Sequence, residues 1–571
     1  MTRHDPRHGP RSSWWALVAG IVLLASASCA SPPDKPPTGP PWFEEVARER
    51  GLRFEHRSGH AERHIFPEII GGGAALFDMD GDGDLDAYLV QSGNLIDPGA
   101  QGGVNRLFEN DGAGHFRDVT EGSGADDDGY GMGVAAGDYD DDGDVDLYVT
   151  NYGPNVLLRN EGGGRFADVT VAAGVGHRGW GTSAAFVDYD ADGDLDLFFT
   201  NYVNWSLTDE RDCYNTAWQL DYCLPTNYKS PATDVLYRND GVGRFTDVTV
   251  ESNLNTSFGN GLGVVCADYD GDGAIDIFVA NDAMLNQLWL NRQDGTFVDE
   301  SLLRGCALDE HGMTKSGMGV AAEDYDDDGD PDLIVVNLET QTDSFFLNED
   351  GFFRDHTGEV GLGATSRVHT RFGIGLVDFD NDGFLDLYHA NGRVTKTAEP
   401  LTGDPYAEPN MLFAGADNGR FEPVSPQGGT LETLVATSRA AAFGDVDGDG
   451  GLDVVVVNRD AAAYLLINVV PNRGHWIRFR VLGPSGRDAI GSTVQVVFDG
   501  RTKTRGVRSA YSYNSASESV AHFGLGDATR VDQVTVLWPD GTREIFGELE
   551  ADQSVTLRRG AGSQAVAGRR D

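Results

Sequence analysis

Residues 78–86 read DMDGDGDLD, with an aspartate at every second position. On one face of a strand these five carboxylates would repel one another, so the stretch reads as a loop that gathers oxygen ligands. The pattern returns as DYDDDGDVD from Asp138, DYDADGDLD from Asp188 and DYDGDGAID from Asp268. It returns again as DYDDDGDPD from Asp324, DFDNDGFLD from Asp378 and DVDGDGGLD from Asp445. In all seven copies positions 1, 3, 5 and 9 are Asp and position 6 is Gly. A lone Asp-Gly pair marks a solvated turn. Seven copies with four fixed carboxylates ask for a cation.

Calcium takes six to eight oxygens at about 2.3–2.6 Å, and ligands at 1, 3, 5 and 7 around a Gly at 6 form the front of an EF-hand loop. Magnesium is disfavoured, because it prefers strict octahedral geometry and retained water. The back half is not an EF-hand: position 12, where a bidentate Glu is needed, is Leu89, Val149 and Phe199 in the first three copies. Flanks such as LDLFFTN are strand-forming, so each loop links two strands and Asp at 9 is its last carboxylate. Position 7 is Ala274, Phe384 or Gly451 in three copies, so there the backbone carbonyl is the expected ligand.

The expected calcium sets open with Asp78, Asp80, Asp82, Asp84, Asp86 and Asp138, Asp140, Asp142, Asp144, Asp146. The third and fourth are Asp188, Asp190, Asp192, Asp194, Asp196 and Asp268, Asp270, Asp272, Ala274, Asp276. Asp324, Asp326, Asp328, Asp330, Asp332 and Asp378, Asp380, Asp382, Phe384, Asp386 follow. Asp445, Asp447, Asp449, Gly451 and Asp453 complete up to seven ions.

The 571 residues carry a formal charge of −48, and seven divalent ions would leave about −34. Such a surface repels nucleic acid phosphates, so no nucleic acid partner is expected. At the N-terminus, Arg3, Arg7 and Arg11 precede the apolar run WWALVAGIVLLASAS, too short for a comfortable membrane span and laid out as a signal peptide. It resembles a bacterial lipoprotein signal over 1–29 with Cys29 as the lipidated residue, although Ser26 stands where that motif usually has Leu. The alternative is ordinary cleavage and secretion. Residues 30–41 form a Pro-rich spacer, and the membrane is expected to be met only through the anchor. In an oxidising compartment Cys213 and Cys223 are close enough in sequence to bridge, while the pairing of Cys266 and Cys306 is left open.

The self-similarity extends beyond the loops. A small-residue strand such as GMGVAAGD precedes each loop, and an apolar strand, a turn and a segment such as NRLFENDGAGHFRDVT follow. Six intervals span 367 residues, a period of about 61, and four short strands per unit suggest a propeller blade. After the seventh loop, AAYLLINVVPNRG lacks the final F-x-D-V-T strand, whereas WFEEVARERGL from Trp42 supplies one. The two ends are therefore expected to complete one blade and close a seven-bladed all-β ring over 42–470.

These repeats resemble FG-GAP/VCBS repeats, as in the calcium-bearing propellers of integrin α chains. Residues 472–558, with HFGLG at 522–526 and WPDG at 538–541, resemble the ASPIC/UnbV domain. Together they are similar to the cartilage acidic protein family and its bacterial relatives. Read on its own residues, 472–558 alternates apolar and polar positions, which predicts a small antiparallel β-domain packed on the propeller, followed by a flexible tail over 559–571. His475 and His522 lack a nearby carboxylate pattern and read as structural.

The interval from Asp188 to Asp268 is 80 residues, about 20 above the mean. Its excess carries Trp205, Tyr214, Trp218 and Tyr222, with Tyr228, aromatic types enriched at binding hot spots and candidates for a ligand face. His369, Arg371 and His389 are weaker candidates to line one propeller face. No nucleophile elbow, zinc motif or phosphate loop is found. The sequence therefore favours an exported binding or adhesion module for an extracellular protein or glycan over a calcium-dependent enzyme acting on a polysaccharide, which stays open as the alternative.

Overall fold

The computed structural model describes residues 39–60, 63–97 and 103–564. The signal segment, Cys29 and most of the Pro-rich spacer lie outside the described residues. Each repeat unit becomes a four-stranded antiparallel sheet, and there are seven of them among the described residues. Blade 1 consists of Ala74–Phe77, Asp86–Leu89, Arg106–Asn110 and Phe116–Asp118 in spatial order. The inner strands of blades 2 to 7 are Tyr130–Gly137, Arg178–Val187, Gly261–Ala267, Val320–Glu323, Arg371–Val377 and Ser438–Gly444. Each packs beside the next, and the last returns to the first, so the ring is closed. Between blades the core is apolar: Phe77, Tyr88 and Leu107 of blade 1 meet Val134, Leu147 and Phe166 of blade 2.

Closure follows the expected route. Phe43–Glu45 pairs antiparallel with Tyr464–Asn468, with Phe43 opposite Asn468 and Glu45 opposite Leu466. Phe43 is 1% exposed, its ring meeting Phe379 edge-on at 5.1 Å and Tyr388 at 6.1 Å. A second closure device escaped the sequence reading. Asn110 donates its side-chain amide to Leu85 O within its own blade and to Val446 O of blade 7. Asn160, Asn239, Asn291, Asn348 and Asn468 each do the same toward the preceding blade. Blade 6 has Gly415 at the corresponding place.

Because strands alternate in direction, the seven aspartate loops lie at one end of the ring and the second-to-third-strand connections at the other. The C-terminal domain sits on the aspartate-loop end. One sheet has His475–Leu482 between Ala521–Gly526 and Gln553–Arg558; the other runs Arg501–Gly506, Thr493–Phe498, Arg530–Leu537, Arg543–Glu550, Ser563–Gln564. The expectation of a purely antiparallel domain fails at one pair. His475–Leu482 runs parallel to Gln553–Arg558, because the chain crosses the second sheet before returning. The expected tail over 559–571 also begins too early: Glu544 accepts the Gly560 N–H and pairs with Gln564, so the domain continues to the last described residue.

One segment of this domain leaves it and fills the propeller's channel. Ser515–Ala516 pairs in parallel with Ala74–Phe77 of blade 1. Ser512 exchanges backbone hydrogen bonds with Val320 of blade 5, at 2.7 and 3.0 Å, and its hydroxyl accepts from Ile374 N of blade 6. Asn514 N donates to the Ser183 hydroxyl of blade 3, and its carbonyl accepts from Val134 N of blade 2. At the channel's far end Tyr513 is fully buried among Met132, Trp180, Leu262, Met318 and Phe372, one residue from each of five inner strands or their entries. The inner strands are built from small residues because this occupant comes so close. A Cβ on Gly73 would lie 2.2 Å from Asn514 O.

Candidate metal and ligand sites

The glycine at loop position 6 has positive φ in every copy, from +84° at Gly450 to +100° at Gly329. Position 4 is also left-handed even where it is not Gly, at Asp141, Ala191, Asp327 and Asn381. Two such turns fold nine residues tightly enough to point carboxylates at one centre. In the second to fifth loops oxygens of positions 1, 3 and 9 gather within 4.8 Å: Asp138, Asp140, Asp146; Asp188, Asp190, Asp196; Asp268, Asp270, Asp276; and Asp324, Asp326, Asp332. In the first loop the gathered set is Asp78, Asp80 and Asp82.

Position 9 has a second task. In each loop one oxygen accepts the N–H of position 2, as Asp146 does from Tyr139 and Asp453 from Val446. The other accepts a backbone N–H of the third strand or its end, as Asp86 does from Asn110 and Asp386 from Gly415. Position 5 closes the turn by accepting the N–H of position 7, as Asp382 does from Phe384 and Asp449 from Gly451.

The electrostatics of these loops are unfavourable without a cation. Burial pushes the carboxyls of Asp86 and Asp332 up to about 8 and those of Asp146 and Asp196 up to about 9. Burial raises Asp138, Asp188, Asp268 and Asp324 to about 6. Several oxygens are buried without a donor among the described residues: Asp140 Oδ1, Asp188 Oδ1, Asp270 Oδ1, Asp447 Oδ1 and both of Asp324. A hard cation taking carboxylate oxygens would answer both features.

The C-terminal domain also brings cations to these loops. Lys503 Nζ lies 2.8 Å from Asp327, Arg478 3.2 Å from Asp445, Arg487 3.6 Å from Asp141 and Arg473 2.5 Å from Asp449. His522, buried against the same end, shares a 2.9 Å hydrogen bond with Asn381, and burial pushes its imidazole down to about 3. His475 does have a carboxylate partner, Asp552 at 2.7 Å, supplied by the turn before Gln553–Arg558 and far away in sequence.

At the opposite end the aromatic insertion splits into two roles. The Cys213–Cys223 disulfide is formed and staples a hairpin of Cys213–Tyr214 and Leu220–Asp221, whose tip leaves Tyr214 57% and Trp218 85% exposed. Tyr222 and Trp205 turn inward instead. The Tyr222 hydroxyl donates to Glu68 at 3.0 Å and lies 2.9 Å from His60 Nδ1, while Asp221 accepts from Tyr406 at 2.7 Å. Arg459 lies over both the Tyr222 and Tyr406 rings, so the insertion clamps the channel mouth. Trp205 is buried in the wall of a cleft beneath the insertion. Tyr228 stacks on Phe66 with ring centroids 4.9 Å apart.

The candidates around the sixth loop do not line a face. Arg371 and His389 are buried around Asp343, at 2.7 and 3.5 Å, and His369 pairs with Glu408 at 3.1 Å. Arg371 sits on the inner strand Arg371–Val377 and His389 on the strand beside it, Asp386–Asn391, so the propeller closes over both. Cys266 and Cys306 are free thiols, the latter buried.

A family model described as ASPIC and UnbV matches residues 483–564. One described as FG-GAP-like repeat matches 78–149, 138–199, 220–279, 268–335 and 324–389, together just over half of the 571 residues. Cartilage acidic protein 1 of Homo sapiens is 29% identical over 320 residues, covering 53% of this chain and 44% of the relative. That of Xenopus tropicalis is 28% identical over 335 residues, covering 55% and 47%. The chain thus spans less than half the length of these relatives. Among solved structures, an Agrocybe aegerita lectin recognising non-reducing terminal N-acetylglucosamine superposes with TM-score 0.37 at 15% identity, over 80% of this chain and 96% of the lectin. The Bacillus licheniformis rhamnogalacturonan lyase gives TM-score 0.37 at 14% identity, over 75% of each chain.

Proposed function

Because this chain belongs to the FG-GAP-like repeat family and carries an ASPIC and UnbV domain, we propose that it is an exported, calcium-loaded propeller that binds an extracellular protein or glycan. The observation that carries this reading is the contrast between the two ends of the ring. The aspartate-loop end is covered by the chain's own C-terminal domain, while the opposite end presents a disulfide-stapled hairpin tipped by Tyr214 and Trp218. A rigid hairpin offering aromatic rings loses little conformational entropy on binding, which favours such residues as anchors.

Calcium in this reading is held by positions 1, 3, 5 and 9 of each loop with the position 7 carbonyl, and it neutralises carboxylates that the fold draws together. The chain's own part is to preorganise them: the position 6 glycine makes the turn, and the position 9 carboxylate ties the loop to the third strand. Export is supported by the signal-like N-terminus and by the disulfide, and Cys29 is the proposed lipid anchor in the cell envelope. The net charge of −48 argues against nucleic acid.

Native mass spectrometry of the calcium-equilibrated protein should count several bound ions, up to seven. Immobilised protein should capture a defined protein or glycan from envelope and extracellular-matrix fractions, and less of it when Tyr214 and Trp218 are both changed to Ser. No bound calcium, or turnover of an envelope polymer on mixing, would overturn the reading. The anchor is tested separately: Cys29→Ser should move the protein from the membrane fraction to the soluble one.

A further inference from the structure

Blades 2 and 3 are joined at the end away from the aspartate loops, where Arg178 pairs with Pro154 and Trp180 with Tyr152. The insertion that follows Asn201 arches over this seam and leaves a cleft of about 1030 Å³. That is the size of a small-ligand site, for which about 300–1,000 Å³ is usual. Tyr152, Trp180 and Trp205 form one continuous aromatic wall, with ring centroids 5.2–5.9 Å apart and edge-to-face packing throughout. The two indoles are buried and fixed, and Tyr152 is the half-buried ring they support.

Three polar atoms of residues lining this cleft lack partners among the described residues: the Trp180 and Trp205 indole N–H groups have no acceptor and Asn201 Oδ1 has no donor. Trp180 is 2% and Asn201 3% exposed. A buried orphan of this kind is destabilising unless a ligand supplies the missing partner. The carboxylates Asp209, Asp234 and Asp247 outnumber the one lining guanidinium, Arg178, so an anion is repelled. An ammonium or guanidinium would only donate and leave the indole unsatisfied. A sugar hydroxyl both donates and accepts, and the C–H face of a pyranose suits an aromatic ring.

We propose that this cleft binds a neutral saccharide, its ring laid on Tyr152 and its hydroxyls paired with Trp180 and Asn201. This deepens the binding reading above and rests on it. The test uses the calcium-loaded full chain titrated with cellotetraose, chitotetraose, mannotetraose and a β-galactan tetraose, read by tryptophan fluorescence and calorimetry. At least one should saturate. Tyr152→Ala should weaken it at least tenfold, and Tyr152→Phe should keep it. Val250, 67% exposed on the cleft's edge, gives a variant with little folding risk: Val250→Trp should fill the cleft and abolish binding. If none of the four saccharides binds, or one binds Val250→Trp as well as wild type, the proposal is overturned. Capture of an envelope ligand equally by wild type and Val250→Trp would overturn the cleft and leave the binding reading intact. Capture by neither would sink the binding reading itself.

Discussion

Tyr513→Ala should destabilise the propeller, although Tyr513 belongs to the C-terminal domain. Its ring is fully buried among residues of five blades, and its hydroxyl reaches Ile70 O at 3.4 Å. Removing a buried aromatic costs about 3–5 kcal/mol. The hydroxyl adds little at that length. If ring and C-terminal domain unfold as one unit of about 520 residues, the unfolding entropy at about 2.1 cal/mol/K per residue is about 1.1 kcal/mol/K. The melting temperature should then fall by about 3–5 °C in a single transition. Differential scanning calorimetry of the calcium-saturated protein reads this directly, with limited proteolysis showing whether blade connections open together with the C-terminal domain. The reasoning is refuted if wild type melts in two transitions and Tyr513→Ala moves only the smaller one. An unshifted curve would equally show that the channel repacks without its occupant.

Three other perturbations probe the ring and its loops. In dialysed calcium-free protein the raised carboxyls of Asp86, Asp146, Asp196 and Asp332 bind protons that the unfolded chain has released. Stability should therefore rise as pH falls from about 8 toward 4, whereas calcium-bound loops with depressed carboxyls should lose stability on acidification; melting curves with the same slope in both states would refute this. Asn110→Ala strips donors from two buried carbonyls, Leu85 O and Val446 O, and should cost about 1–3 kcal/mol for each in chemical denaturation; no loss would discount the staple. Phe43→Ala should cost about 3–5 kcal/mol, and deleting residues 42–51 should expose the blade 7 edge and produce oligomers in size-exclusion chromatography. A monomeric, equally stable deletion protein would mean that closure does not depend on that strand.

What could be read from the sequence was whatever repeats. The seven loops announce themselves because their carboxylates and glycine recur at fixed spacing, and Phe43 could be placed because it matches Phe116, Phe166 and Phe245. The asparagine staples were equally periodic, in FEND, LRNEG, YRNDG and LLIN, yet an asparagine two residues before a glycine, as in the first three, reads as ordinary turn chemistry. Their second acceptor lies in the neighbouring blade and has no local signature. The channel occupant was illegible for a stronger reason. Residues 509–517 occur once, and Ser509, Ser512 and Ser517 satisfy backbone groups of Ala136, Ile374 and Phe443 on strands far away in sequence. Trp205, Tyr214, Trp218 and Tyr222 share a chemical type but not a direction, since the disulfide-stapled hairpin holds two outside and the chain on either side turns two in. The cluster of Asp343, Arg371 and His389 likewise exists only once blades 5 and 6 are packed.

The placement of charge links the two halves of the molecule. An excess of 48 negative charges is carried by a chain whose C-terminal domain turns Arg473, Arg478, Arg487 and Lys503 toward the aspartate loops. These side chains take up loop oxygens or neighbouring carboxylates at positions 1, 4 and 5, leaving Oδ1 of Asp140 and of Asp270, both at position 3, buried and unpartnered among the described residues. The guanidinium and ammonium groups alone therefore leave part of the loop charge unanswered, and that is the share the proposed cation would take. The domain that covers the loops is also the one that fills the channel, and Tyr513 carries its segment to the far end. That same tyrosine lies in one apolar cluster with Trp180, which forms the wall of the cleft at the other end. A packed column thus joins the aspartate-loop end to the end proposed to meet a ligand.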